Sequence, residues 1–317
     1  MAEHAVIFDT DPGVDDALAL LYLHRHREVE LAGITTVFGN APIELTTRNA
    51  LFLAERWGIE APVARGAGEC FDTRRPAGRF PTFIHGENGL GDIDVAVPAR
   101  APDPRPAHRF IADTLRARPG AITLVAVGRL TNLALALREA PEIAGLARGV
   151  VVMGGVFAGP GNVTPGAEAN IHGDPEAADL VFGADWPVTI VGLDATVPVV
   201  MTRARLDALA QAGGEAARLV RDLSQDYIRF YETRIPDGMV VHDATACVAL
   251  AEPGLFRTRR GAVRVACEGF AAGMTIQKPE GTVFPPGAWD DRPGHTVCLG
   301  VDAEGVLSAI ERTIAGN

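Results

Sequence analysis

The chain has 317 residues, 47% of them apolar, enough to bury the core of one large α/β domain or two smaller ones. Lys and Arg number 29 against 40 Asp and Glu, and the formal charge of −11 repels phosphate backbones over most of the surface, which argues against a nucleic-acid partner. No apolar run is long enough to span a bilayer, and Met1-Ala2-Glu3-His4 enters a short strand with no charged-then-apolar leader pattern, so a cytoplasmic protein without a membrane partner is expected.

The first apolar run, Ala5 to Phe8, predicts a buried strand, and Ala17-Leu18-Leu20-Leu21 carries a helical pattern. Between them, Asp9-Thr10-Asp11-Pro12-Gly13-Val14-Asp15-Asp16 sets four carboxylates within eight residues, and Pro12-Gly13 forces a turn. One aspartate here would suit the positive end of the following helix. Four repel one another unless protons or a cation neutralise them, so the segment reads as an oxygen-rich cation site. Calcium suits such a cage better than magnesium, because it accepts irregular sets of carboxylate, carbonyl and water oxygens.

Further apolar runs rich in β-branched residues predict buried strands at Leu31 to Val37, Ile122 to Val127, Val150 to Met153 and Val188 to Leu193. Helical patterns such as Leu133-Leu135-Ala136-Leu137 separate most of them, which predicts an α/β fold: an open, mostly parallel sheet flanked by helices. Asp11, Asn40, Gly128, Met153 and Asp194 fall at or just after strand carboxyl ends, where such sheets place a ligand crevice. Long loops follow Gly58 and Met153. Tyr227 and Tyr231, four apart, share one helix face, either as a core stripe or as an aromatic wall. No linker, repeat or low-complexity block appears, and the Pro-rich stretch Pro98 to Pro106 is too short to divide the chain, so residues 1–317 are expected to form one domain. Cys70, Cys247, Cys267 and Cys298 lack paired spacing and read as small buried hydrophobes. Among eight histidines, His242 is tethered to Asp243 and His85 sits in the glycine-flanked loop Ile84-His85-Gly86-Glu87-Asn88-Gly89.

The acidic segment resembles the N-terminal motif of the inosine-uridine preferring nucleoside hydrolases, and further motifs agree in order: Thr35-Thr36-Val37-Phe38-Gly39-Asn40, Gly128-Arg129-Leu130-Thr131-Asn132-Leu133-Ala134, Val152-Met153-Gly154-Gly155, Gly161-Asn162-Val163-Thr164-Pro165 with Glu168 and Asn170, and His242-Asp243. The resemblance implies hydrolysis of the N-glycosidic bond of ribonucleosides to ribose and free base with bound Ca2+. It implies that Asp11, Asp15, Asp16 and Asp243 supply side-chain ligands and Val127 a carbonyl, with the attacking water and the ribose 2′ and 3′ hydroxyls completing the set. Asp11 is the candidate base for the water, while Asp9 orients Asp11 or caps backbone donors. Asn40, Asn162, Glu168 and Asn170 match positions that hydrogen-bond the ribose, although Asn162 taken alone is an ordinary turn residue. Met153 would pack on the sugar, and Tyr227 and Tyr231 would cap the base.

His242 is the expected general acid, with His85, on a loop resembling the family's mobile loop, as the other candidate. Where the family commonly carries a bulky aromatic between its glutamate and asparagine, this chain has Ala169, which opens space at the ribose 5′ end. The resemblance also implies a homo-oligomer, dimer or tetramer. Two other readings compete. A phosphatase with an Asp-x-Asp turn would place Thr or Val where Gly13 stands, and a non-catalytic calcium-dependent nucleoside or sugar binder would need neither Asp11 nor His242.

Overall fold

The computed structural model describes residues 3–316. From the amino end, β1 (His4–Thr10) leads into α1 (Val14–Arg25), β2 (Val29–Thr36), α2 (Ile43–Trp57), the two-residue β3 (Val63–Ala64), the single-turn α3 (Thr82–His85) and α4 (Ala107–Ala117). The middle of the chain supplies β4 (Ile122–Ala126), α5 (Thr131–Glu139), β5 (Gly149–Met153), α6 (Ala169–Gly173), α7 (Pro175–Val181), β6 (Val188–Val191) and α8 (Leu193–Thr196). Then follow β7 (Val200–Thr202), α9 (Arg203–Ala212), α10 (Gly214–Tyr231), β8 (Gly238–Val240) and α11 (His242–Ala251). The chain ends with β9 (Phe256–Val265), β10 (Thr275–Pro279), β11 (Gly294–Val301) and α12 (Ala303–Ala315).

Nine strands form one sheet in the order β10-β9-β11-β6-β5-β4-β1-β2-β3. From β11 to β3 every pairing is parallel, while β9 and β10 add an antiparallel margin. The five predicted strands all form, each within two residues of its expected start. The antiparallel margin and the separate β7-β8 pair were not foreseen, because β9 runs from Phe256 straight into four consecutive exposed residues, Arg257 to Arg260, and so presents no continuous apolar run.

Both faces of the sheet are covered. The two-residue period of β1 sends Val6 and Phe8 into the cluster beneath α1, α10 and α11, and Ala5 and Ile7 into the cluster beneath α4, α5 and α7. Each fully buried Val, Ile, Leu or Phe adds about 1.5–3 kcal/mol of hydrophobic stabilisation. This is why the strands read as unbroken apolar runs. Of the four cysteines, Cys70, Cys247 and Cys298 are buried as expected, whereas Cys267 is only half-buried. No helix among the described residues is long and apolar enough to cross a membrane.

The winding of the chain reverses at β1, which pairs with β2 on one side and β4 on the other. Open α/β sheets leave a crevice outside the carboxyl ends of strands at such a point, since the helices of the two neighbours lie on opposite faces. The segments after β1 and β4, 11–13 and 127–130, therefore flank one opening.

Candidate active site

That opening is a crevice of about 650 Å³ lined by Asp11, Asp15, Asn40, His85, Val127, Met153, Asn162, Glu168, Asn170, Tyr227, Tyr231, His242 and Asp243. Asp16 lies just beneath the lining, with 1% of its surface exposed. Every residue expected to bind the metal, the ribose or the base, or to act in catalysis, is thus in or against one cavity, although the chain brings them from both ends and the middle.

Asp15, Asp16 and Asp243 converge so that one carboxylate oxygen from each lies within 4.8 Å of the others. Helix geometry accounts for this: Asp15 and Asp16 occupy the first turn of α1, Asp243 the first turn of α11, and the two helices pack together. Asp16 is fixed by Thr10 Oγ1, which donates at 2.5 Å, and by the Gly13 N–H at 2.9 Å. Asp11 stands beside this trio. Its Oδ2 accepts from the Asn40 N–H at 2.8 Å, while Asn40 Nδ2 donates to the Asp11 carbonyl at 3.2 Å and to Asp16 Oδ2 at 3.0 Å. Residue 39 must be glycine, because a Cβ there would run into the Asp11 carboxylate.

Burial pushes the carboxyls of Asp11, Asp15, Asp16 and Asp243 above the ordinary aspartate range, and their mutual repulsion adds to the effect at Asp11, Asp15 and Asp243. The donors around them do not cancel this excess of negative charge. An oxygen-only set of buried carboxylates with an uncompensated charge fits a hard divalent cation, whose field would return the groups to their ionised forms. The Val127 carbonyl also faces the crevice and accepts from Asn170 Nδ2 at 2.7 Å, leaving its second lone pair.

Asp9 sits behind this layer. Its Oδ1 accepts from Thr35 Oγ1 at 2.5 Å and Asn132 Nδ2 at 2.7 Å, and burial raises its pKa to about 7. Asn132 also donates to the Thr36 carbonyl and accepts from the Ala67 N–H, tying β1, β2 and the 65–81 segment together.

At one end of the crevice stand the aromatic and histidine groups. His242 Nδ1 is 2.8 Å from Thr196 Oγ1 and its Nε2 is 3.1 Å from the Tyr231 hydroxyl. Tyr227 packs edge-on against Tyr231 with ring centroids 5.2 Å apart, so the pair is a wall of the crevice as well as part of the core. His85 lies against Tyr227 at 5.3 Å, and its Nδ1 accepts from the Val14 N–H at 3.3 Å. Burial lowers the His242 pKa to about 4, and burial together with the neighbouring His242 lowers that of His85 to about 3. Both imidazoles are therefore neutral, and His85, accepting at Nδ1, carries its proton on Nε2.

The other end is built by the segment after β5 and by α6. Glu168 caps α6, its Oε1 accepting from Asn170 N–H at 2.8 Å and its Oε2 from Gly155 N–H at 2.9 Å and Ile171 N–H at 3.1 Å. Asn162 Oδ1 accepts from Ala169 N–H at 3.0 Å. This bond is a turn role, and Asn162 also lines the opening.

Asp194 departs from expectation. It does not line the crevice but accepts from the N–H groups of Phe157, Ala158 and Gly159 at 2.7, 2.7 and 3.1 Å, anchoring the loop that carries Asn162. Sequence reasoning passed over Arg129, His172, Phe83, Phe230 and the 75–79 segment, all of which line the cavity. The long loop after Gly58 hinted at the last of these. Nothing in the pattern distinguished Arg129 from its motif neighbours.

With this geometry in place, the similarities of the chain to known proteins become informative. Residues 6–308 match the model of the family described as inosine-uridine preferring nucleoside hydrolase. Over 311 residues the chain is 38% identical to uridine nucleosidase 1 of Arabidopsis thaliana, covering 96% of this chain and 91% of the relative. It is 36% identical over 311 residues to the non-specific ribonucleoside hydrolase RihC of Escherichia coli, covering 98% of each. The solved structure of a plant nucleoside hydrolase, the PpNRh1 enzyme, superposes with a TM-score of 0.95 at 34% identity, covering 99% of this chain and 100% of that one. The chain belongs to the inosine-uridine preferring nucleoside hydrolase family, and it is a hydrolase.

Proposed function

We propose that the protein hydrolyses the N-glycosidic bond of ribonucleosides, releasing ribose and free base, with Ca2+ as its ion. The observation that carries this reading is the junction, in one crevice, of the converged carboxylates Asp15, Asp16 and Asp243 with Asp11 on one side and the His242–Tyr231 pair on the other. When bound among those carboxylates and the Val127 carbonyl, the cation would hold the ribose 2′ and 3′ hydroxyls and make a water more acidic.

Asp11 is the group placed to take that water's proton, and Asn40 holds its carboxylate in position. Cleavage develops positive charge on the ribose ring, as in other glycosyl transfers. Glu168 contributes a carboxylate at the ring, while Asn40, Asn162 and Asn170 offer amides to the hydroxyls and Met153 packs beneath the sugar. The departing base meets Tyr227, Tyr231 and His85. The His242–Tyr231 pair, with Thr196 holding His242 Nδ1, passes a proton taken up from solvent to the departing base, so that neither group is left as an anion. His85, neutral and protonated on Nε2, serves as a hydrogen-bond donor to the base.

A place in nucleoside salvage and assembly as a homodimer or homotetramer belong to the same reading and rest on the resemblance, and cytoplasmic residence, expected from the sequence pattern, is proposed with them. The test is incubation with inosine, uridine, cytidine and adenosine, followed by detection of reducing sugar. Chelation should abolish turnover and readded Ca2+ should restore it. Full activity in a sample shown to be metal-free would overturn the metal assignment, and absence of turnover on all four nucleosides would leave the binder reading standing.

A further inference from the structure

We infer that the crevice has a second compartment, floored by Arg129 and walled by Ala169, His172, Gly173 and the 75–79 segment, that takes a phosphoryl group on the ribose 5′ carbon, making ribonucleoside 5′-monophosphates substrates. The inference rests on the N-glycosidase reading above for the orientation of the ribose. With the 2′ and 3′ hydroxyls toward the acidic cluster and C1′ toward Tyr231 and His242, C4′ and its C5′ substituent lie at the opposite edge of the ring. That edge faces α6 and residues 75–79.

The compartment is roomy because Ala169 presents only a methyl group to it. Its chemistry is set by Arg129, which is 8% exposed. The guanidinium lies 4.2 Å over the Phe38 ring and donates from Nη1 to the carbonyls of Ala77 at 2.9 Å and Gly173 at 3.4 Å. Gly173 is required beside it, since a Cβ there would stand 2.5 Å from Arg129 Nε. No carboxylate makes an ion pair with Arg129 among the described residues. Asp11 and Asp174 support its charge at longer range without closing an ion pair on it, so an anionic ligand that reached the guanidinium would supply the direct partner it lacks.

The carboxylates around the compartment have hydrogen-bond partners of their own: Asp11, the one whose charge acts most on Arg129, accepts from the Asn40 N–H. Glu176 makes a two-pronged pair with Arg75 at 2.6 and 2.8 Å, Asp174 accepts from Thr131 Oγ1 and from the Phe71 and Ala177 N–H groups, and Glu168 is taken up by three backbone N–H groups. Arg79, on the exposed rim, adds a second cation. A planar guanidinium with a rim arginine is a recurring way to hold phosphate oxygens.

The reaction consumes one water. Its oxygen bonds to C1′, the C1′–N bond breaks with its electron pair going to the base, and the base takes a proton, leaving ribose 5-phosphate.

Three preparations test the inference: the native protein, Arg129→Gln and Ala169→Phe, each with Ca2+. Turnover of uridine and of uridine 5′-monophosphate is followed by release of uracil, and binding of both is followed by calorimetry. The native protein should release uracil from the monophosphate, and the ratio of kcat/KM for the monophosphate to that for uridine should fall at least about tenfold in each variant, the size of one lost charge-assisted contact. Turnover of uridine with neither cleavage nor binding of the monophosphate would overturn this inference while leaving the N-glycosidase reading intact. So would a ratio unchanged in both variants, or competition by inorganic phosphate without turnover of the monophosphate. Absence of turnover on both substrates would overturn the N-glycosidase reading itself.

Discussion

Individual side chains in this crevice divide the chemistry between two ends. In the proposed mechanism Asp11 serves the water and His242 the base, with the ribose between them, so the two roles are separable by mutation. Asp11→Asn keeps an oxygen toward the cluster but loses the base, and kcat should fall by about two to four orders of magnitude, the usual size of general-base assistance. Thermal unfolding of this variant should change little or shift upward, because one of several buried repelling carboxyls is removed. Steady-state kinetics beside a melting curve checks both.

His242→Ala should slow uridine and inosine strongly and spare a p-nitrophenyl riboside, whose leaving group departs without a proton. Equal loss on both substrates would show that His242 positions Asp243 instead of serving the base. The acidic cluster, Asn40 and His242-Asp243 were legible in the sequence because each belongs to a motif whose residue types already name their chemistry. Arg129 was not, since an arginine after a glycine signals nothing until Phe38 and Gly173 are seen against it.

Secondary-structure elements place these groups through their ends, and the anchoring of those ends can be tested. Asp194, in the first turn of α8, holds the 157–159 backbone by three hydrogen bonds, and that loop carries Asn162 into the crevice wall, where it is proposed to meet the ribose. Asp194→Ala should raise KM about tenfold with a smaller effect on kcat, the size expected for a lost charge-assisted contact. Asp194→Asn should recover part of the loss, because its amide oxygen can still accept.

On the far side of the sheet, Asp179 of α7 accepts from Arg264 of β9 at 2.9 Å, Arg292 at 2.5 Å and the Val265 N–H at 3.0 Å. Burial pushes this carboxyl up, but the hydrogen bonds and charges of Arg264, Val265 and Arg292 outweigh it and hold Asp179 below the usual 3.8. A carboxyl with a depressed native pKa stabilises the fold fully above its unfolded value. That contribution fades as pH falls through the native value. Asp179→Ala should therefore cost about 2 kcal/mol at neutral pH, with native and variant converging in strong acid, as denaturant titrations at pH 7 and pH 2.5 would show. The strand boundaries were readable from apolar runs, whereas β9 and β10 were not, because at the sheet margin most of β10 and Arg257 to Arg260 of β9 stay exposed or half-buried and carry polar residues.

For the whole molecule, both apolar clusters share one sheet, so neither face can unravel without exposing the other. We propose that residues 1–317 act as one domain, and calorimetry should show a single transition. Added Ca2+ should move that transition upward, by about 2.7 kcal/mol of stability at a hundredfold excess over its dissociation constant. Two resolved transitions, or a midpoint indifferent to Ca2+, would count against a single unit built around one cation.

The sequence by itself determined five of the buried parallel strands and that their carboxyl ends carry the acidic and amide side chains of the crevice, because backbone period, burial and residue type are local properties. Only the tertiary structure decided how those residues divide the work. Asp194 turned out to anchor a loop, His85 and His242 became neutral, Tyr227 and Tyr231 served core and crevice together, and Arg129 came to floor a compartment beside Ala169. Each of these depends on groups brought together from distant parts of the chain, and desolvation, hydrogen-bond partners and free volume exist only once the chain has packed.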